Sequence, residues 1–535
     1  MKRFFKISFG LLLPLLLTAG LFFGCRARQP DASVSVVVGR ADELFGGNPE
    51  WPPAESTFVF SDVSALLAPE SQNKSSASSR FSSAKTSGKT SSAAKTSGTT
   101  SSIATTSGKA SSSGKTSSAN FSGTISEEKV TSLPGNRVHY STVKAVWISY
   151  IDYADILTGK TESEFRSRFE TVCKNAKNFG LNTLVCQVRA FGDAVYPSGL
   201  FPWSQMAAGI GKAPGYDPLA VMLEIAHRHN LSFHAWVNPF RTFLDSQLAA
   251  VPSGSVFMNW YRDGEKNGRY IVKNNDRWYY NPGEPEVRQL ILNGVIEIIK
   301  NYAVDGIHFD DYFYPTQEAS FDQQSYRAYG GGKSLAQFRR QSVSSLVKSV
   351  YQAVKQTNPN IWFGISPQAN IQNDMDQQYA DVKLWATNNG YVDYLCPQIY
   401  YSYRSETLAF TDTLNSWKKL VTASQVRLMT GLAVFRVGCR YDTWACPSSL
   451  RPSHLNNVNC GAYGWQSSTP GSSDILARQY RDSLAVQKCA GVFLYSYQYL
   501  FRSTELFRDK TAYADNAVTQ AKSEIDKLKT ALSGQ

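Results

Sequence analysis

Histidine is scarce and ungrouped. The 535 residues include six histidines, His139, His227, His229, His234, His308 and His454, and no set of them stands at metal-ligand spacing. His227 and His229 fall at a helix end, and His234 suits the filling of a barrel. The eight cysteines contain no CxxC pair, so no zinc centre is expected. A metal-dependent polysaccharide deacetylase therefore lacks its ligand cluster. Basic runs interleaved with aromatics are also missing. The formal charge of +12 is scattered along the chain, which argues against a nucleic-acid partner. The Gly-Lys-Thr triplets at Gly88 and Gly114 have no glycine five positions earlier and no strand before them, so neither is a phosphate loop. No organic cofactor is expected.

Long apolar runs are missing as well. The most apolar stretch, Leu11 to Phe23, is broken by Pro14 and is too short for a permanent span. It follows Lys2, Arg3 and Lys6 and ends at Gly24-Cys25, which reads as an export signal closing on a lipobox-like site. Residues 1–25 are thus expected to be a lipoprotein-type signal, with Cys25 as the lipidated residue and the protein held on the outer face of a bacterial membrane. Residues 26–140 are expected to form a disordered tether. From Asn73 to Thr124 the chain is Ser, Thr, Lys, Gly and Ala with almost no large apolar residue, which leaves too little burial to offset chain entropy. Cys173, Cys186, Cys396 and Cys489 sit in apolar patterns and read as core. Cys439, Cys446 and Cys460 share one long loop, where two of them are candidates to pair in an oxidising compartment.

Aromatics are abundant, at 13%, and concentrate after residue 140. From there strand-like and helix-like runs alternate. Val143–Ser149, Leu181–Arg189, Leu231–Asn238, Val304–Asp311, Ile361–Ser366, Val392–Ile399, Arg427–Phe435 and Gly491–Ser496 read as strands, with a long loop after the third. About eight strand–helix units make residues 141–535 a (β/α)8 TIM barrel of the α/β class. A doubly wound sheet would want a Gly-rich turn after its first strand, and Ser149-Tyr150-Ile151-Asp152 has none.

The central stretch is Val304-Asp305-Gly306-Ile307-His308-Phe309-Asp310-Asp311-Tyr312. Alternation puts Gly306, His308 and Asp310 on one face and Ile307 and Phe309 on the other. The first face suits a barrel interior, and Asp311, where the strand gives out, can turn to the same mouth. The other strand ends bring Trp147, Tyr150, Gln187, Arg189, Asp193, Trp236, Asn238, Arg241, Ser366, Gln368, Gln398, Tyr400, Tyr401, Tyr495, Tyr497 and Gln498. Aromatic faces stack on sugars and amides bond hydroxyls, so the mouth suits an oligosaccharide. Glycoside cleavage needs a stabilising or nucleophilic carboxylate and an acid. Asp310 is the candidate for the first role and Asp311 for the second, with Asp193 in reserve. His308 would orient Asp310. Arg189, Trp236, Asn238, Arg241, His308, Tyr314, Gln398, Tyr400 and Tyr497 are the candidate substrate contacts.

Several motifs occur together: Gln187-Val188-Arg189 with Gly192-Asp193-Ala194, Pro202-Trp203-Ser204, His234-Ala235-Trp236-Val237-Asn238-Pro239 with Arg241, Asn281-Pro282-Gly283, the central stretch, and Pro397-Gln398-Ile399-Tyr400. In these the chain from Val143 to about Phe501 resembles the bacterial glycosyl-hydrolase-like family 10. That group includes a divisome-associated lipoprotein that cleaves peptide-free peptidoglycan glycans. The resemblance implies a glycosidase barrel acting on a cell-envelope glycan, with peptidoglycan as the expected one. The central stretch also resembles the Asp-Gly-x-Asp-x-Asp-x-Glu signature of chitinases, but His308 replaces the middle Asp and Tyr312 stands where the acid Glu would be. That departure keeps a second expectation open, a non-catalytic glycan-binding lipoprotein on the same barrel.

Overall fold

The structure, a computed structural model, describes residues 131–133, 137–440, 463–510 and 512–534. The expected signal with Cys25, nearly all of the expected tether, and Cys446 and Cys460 lie outside the described residues. Cys439 is a buried free thiol.

A short antiparallel pair, β1 (Thr131–Leu133) and β2 (Arg137–His139), leads in. Then come β3 (Val143–Ile148), β4 (Thr183–Arg189) and β5 (Ser232–Val237). An excursion adds β6 (Arg241–Leu244), β7 (Ile271–Asn274) and β8 (Arg277–Tyr280). The series ends with β9 (Gly306–Phe309), β10 (Trp362–Ile365), β11 (Tyr394–Leu395), β12 (Arg427–Ala433) and β13 (Cys489–Tyr495). The strands β3, β4, β5, β9, β10, β11, β12 and β13 close into one barrel, and every neighbouring pair in it is parallel. The TIM barrel read from the alternation is the fold. The excursion, expected as loop, is a three-stranded antiparallel sheet with a helix at Val256–Arg262. Its strands are four residues each, too short for periodicity to separate them from loop.

Period-two alternation sorts the barrel side chains. Val146, Ile148, Leu184, Cys186, Phe233, Ala235, Ile307 and Phe309 join the large core between strands and helices. Val143, Ala145, Trp147, Val185, Trp236, Tyr394, Cys396, Met429 and Phe493 form a second, separate cluster, the barrel filling. Gly364 makes room for it, since a Cβ there would lie 2.0 Å from the Tyr394 ring. The helices carry the complementary stripe. Glu162–Phe179 buries Phe165, Phe169, Val172, Cys173, Ala176 and Phe179. Its start is held by a capping box between Thr161 and Glu164 and its end by Gly180 at φ 89°.

The closed end of the barrel is pinned by Asp305. This fully buried carboxylate accepts from Val138 N at 2.7 Å, Phe233 N at 2.7 Å and His227 Nε2 at 2.8 Å. It thereby joins β2, β5, β9 and the helix Pro218–Arg228. Beside it His139 stacks on Trp362 at 4.3 Å.

Candidate active site

At the other end of β9 the strand stops at Phe309, and Asp310 and Asp311 both reach a cleft of about 450 Å³. Trp147, Tyr150, Gln187, Trp236, Arg241 and Tyr312 line one part of it, and Ser366, Gln398, Tyr400 and Tyr495 the rest. The two carboxylates are held from different walls. Asp310 Oδ2 accepts from Asn238 Nδ2 at 2.6 Å and from Trp236 Nε1 at 3.0 Å, both from the end of β5. Asp310 Oδ1 accepts from Tyr312 N at 3.2 Å. Asp311 Oδ1 accepts from Gln398 Nε2 at 2.9 Å, beyond β11.

Asn238 is itself fixed. Its amide oxygen accepts from Gln187 Nε2 at 2.5 Å, while Gln187 Oε1 accepts from Tyr150 N at 2.9 Å. A line of amides thus runs from the end of β3 across β4 and β5 to Asp310. Burial pushes the Asp310 carboxyl up to about 7, the neighbouring charge of Asp311 adds to this, and the Tyr312 N–H, Arg241 and Trp236 oppose it. Burial also raises Asp311, against the bond from Gln398. Two adjacent carboxyls with raised proton affinity are what acid–base work near neutral pH requires.

Under the acids lies a neutral layer with a fixed hydrogen-bond direction. Trp147 Nε1 can only donate, and it points at His308 Nε2 at 3.1 Å. His308 Nδ1 must then carry the proton and donate to Tyr394 Oη at 2.8 Å, and Tyr394 donates on to His234 Nδ1 at 3.0 Å. Burial drives the His308 imidazole down to about 3, so it stays uncharged.

Among the described residues, Arg241 is the one cation that lines the cleft. Its guanidinium stacks on Tyr312 at 4.4 Å and on Phe191 at 5.0 Å. No hydrogen bond or ion pair to a protein acceptor engages it among the described residues.

A family model described as glycosyl hydrolase-like 10 matches residues 142–444. The chain belongs to that family. Glycosyl hydrolase YngK of Bacillus subtilis (strain 168) is 33% identical over 341 residues, 59% of this chain and 65% of the relative. The chain therefore spans just under two thirds of that relative's length. Glycosyl hydrolase DigH of Escherichia coli (strain K12) is 32% identical over 352 residues, 61% of this chain and 74% of the relative. Among solved structures, the PgaB (BpsB) glycoside hydrolase domain from Bordetella bronchiseptica aligns with a TM-score of 0.40 at 12% identity. It covers 69% of this chain and 98% of that chain.

Within this glycosyl hydrolase-like 10 barrel the expected site residues part company. Asp310, Asp311, Trp236, Arg241, Gln398 and Tyr400 line the cleft, and Asn238 stands directly behind Asp310. Five others do not reach it. Arg189 was expected to point inward, but a register shift between Gln187 and Arg189 pairs it with Val237. It turns outward, fully buried, 3.7 Å over Phe201 and against Gly294 of the helix Pro285–Asn301. Asp193, the reserve acid, accepts from Phe191 N at 2.9 Å and Ala190 N at 3.3 Å, so it shapes the turn after β4. Tyr314 is buried beside Tyr379 at 5.2 Å with Arg339 5.0 Å from its ring. Tyr497 accepts from Asn175 Nδ2 at 2.9 Å, outside the barrel against the helix Glu162–Phe179. His308 lies one layer below the mouth and makes no bond to Asp310. The orienting groups are Asn238 and Trp236.

Nothing in the sequence marks Phe191, and Tyr312 stands out there only as the residue in place of a Glu, yet these two rings position Arg241. An aromatic beside a strand-end Arg is too common a pairing to have marked them.

Proposed function

We propose that this chain is an exported glycoside hydrolase that cleaves glycosidic bonds in a cell-wall glycan, with peptidoglycan strands as its substrate and a lipid on Cys25 as its anchor. The observation that carries the reading is the Asp310–Asp311 pair at the floor of a cleft walled by Trp147, Trp236, Tyr400 and Tyr495. Family membership and the names of both relatives support glycoside hydrolysis. The export signal and the family resemblance favour an envelope glycan.

In this reading Asp311 gives a proton to the leaving glycosidic oxygen, its affinity raised by burial. Burial and Asp311 push Asp310 up to about 7 as well, so it is the anion only above that range, where the bonds from Asn238 and Trp236 hold it facing the positive charge that develops at the anomeric carbon. The amide line from Tyr150 to Asn238 holds Asp310 in place before substrate arrives, which avoids reorganisation during the reaction.

The test is digestion of purified peptide-free glycan strands by the wild type and by Asp310→Asn, read as new reducing ends alongside strand binding. Cleavage that the variant loses while it still binds supports the enzyme. Binding by both with no products from either favours the non-catalytic module that Tyr312, in place of a Glu, keeps in view. Membrane association abolished by Cys25→Ala tests the anchor.

A further inference from the structure

Arg241 brings five N–H donors to the cleft, and among the described residues no acceptor bonds to them. The residue is 6% exposed, and none of its guanidinium nitrogens is sealed from solvent without a partner, so they open onto the cleft. Burial opposes its charge, but Tyr312, Tyr150, Tyr279 and Asp310 together hold the guanidinium above its ordinary range, so the cation is kept charged and its N–H groups remain available to a ligand. Tyr312 and Phe191 hold it by their ring faces, which orients the planar fork without occupying its N–H groups.

A second cation stands close by. Arg277 lies 4.8 Å from the same Phe191 ring, and it donates to the Thr242 carbonyl at 2.6 Å, a neutral group. Two guanidiniums therefore share one phenyl ring with no carboxylate between them. Burial and the Arg241 charge together drive Arg277 down to about 10, as expected for like charges crowded at one place.

The acids of the site do not resolve this. Asp310 is taken up by Asn238, Trp236 and Tyr312 N, and Asp311 by Gln398. Neither forms an ion pair with Arg241, although its charge is felt at both. A planar fork at a cleft wall, held by rings and with no carboxylate hydrogen-bonded to it among the described residues, matches a carboxylate in geometry and charge.

We infer that Arg241 receives a carboxylate carried by the sugar substrate, so that the cleft selects acidic glycans over neutral ones. This rests on the hydrolase reading above and adds to it a substrate feature. In peptidoglycan the fitting group is the lactyl carboxylate of the muramic residue. A strand whose carboxylates are blocked as amides or esters forfeits the charge-assisted bond.

The experiment uses the full chain and two substrate preparations from one batch of peptide-free strands, one untreated and one with its carboxylates converted to primary amides. With the wild type, kcat/KM is expected to fall about 10- to 100-fold on amidation, the size of a lost charge-assisted pair, mostly through KM. In Arg241→Gln the two substrates should become equivalent, and Arg241→Lys should keep part of the preference because it retains charge without the fork. Equal cleavage of both strands by the wild type overturns the inference, and so does an equal loss on both in Arg241→Gln, which would mean that the cation acts only on the aspartates. The substrate comparison in the wild type needs no variant to fold. If nothing is cleaved the hydrolase reading fails, and the inference is then decided by binding of the two strands to Asp310→Asn and to Asp310→Asn/Arg241→Gln. A preference for the acidic strand that disappears with Arg241 upholds it, and no preference ends it.

Discussion

Asn238→Ala is the most informative perturbation of the site, because Asn238 touches Asp310 without lining the cleft itself. It donates the shorter of the two bonds on Asp310 Oδ2, 2.6 Å against 3.0 Å from Trp236. A bond to a charged group is worth about 1.5–3 kcal/mol. That bond favours the ionised carboxylate, so its removal leaves the proton more tightly held. At 1.36 kcal/mol per pH unit, the acid limb of kcat/KM should move up by about one to two units, starting from a group already pushed up to about 7. The sign is fixed: Asp310 acts as the anion, so activity at pH 6 falls further than activity at pH 8. The assay is initial-rate release of reducing ends from glycan strands across pH 5 to 9, with thermal unfolding measured in parallel. The variant also strands Gln187 Nε2, so a loss of about 1–3 kcal/mol in stability accompanies it. A limb that stays where it is in a folded variant would refute the electrostatic role and leave Asn238 a packing residue.

Asp311→Asn should cost about 10²- to 10⁴-fold in kcat on glycan strands, the range for loss of a general acid. It should cost far less on an aryl glycoside whose leaving group needs no proton, and equal losses on both would remove Asp311 from the acid role. Asp305→Ala takes the acceptor from Val138 N, Phe233 N and His227. A denaturant titration should show about 3 kcal/mol less stability, with activity per folded molecule unchanged because the site lies at the opposite end of the barrel. Gly364→Ala drives a methyl into the Tyr394 ring and should destabilise by about 1–3 kcal/mol or more. It should also disturb the His308 bond that Tyr394 receives, seen as a shifted imidazole resonance by NMR.

The barrel was legible because its signal is repeated. Eight apolar runs with helical stripes between them admit few other architectures, and alternation alone places His234, Trp236, His308 and Asp310 inside. The excursion between Arg241 and Tyr280 was not legible, since each of its strands spans only two periods of alternation. The strand expected at Val392–Ile399 is only Tyr394–Leu395, because Pro397 has no N–H for the ladder. Even so, Gln398 bridges to Gln368 and Gly431 past the interruption, and this brings its amide to Asp311.

Arg189 and Asp311 show why site residues are harder to read than strands. Each stands where a strand stops obeying its own period. On β4 one extra residue between Gln187 and Arg189 shifts the register by one, and a shift of one exchanges the two faces of a sheet. Arg189 therefore leaves the mouth for a buried place over the Phe201 ring, while Gln187, two residues earlier, stays inside and reaches Asn238. On β9 the ladder ends at Phe309, and the chain is free to turn Asp311 in beside Asp310, which alternation would have forbidden. The same kind of irregularity thus removes one expected contact and supplies one expected acid. A functional mouth needs neighbouring residues to converge, a regular strand makes them diverge, and so the chemistry gathers at positions that periodicity does not determine.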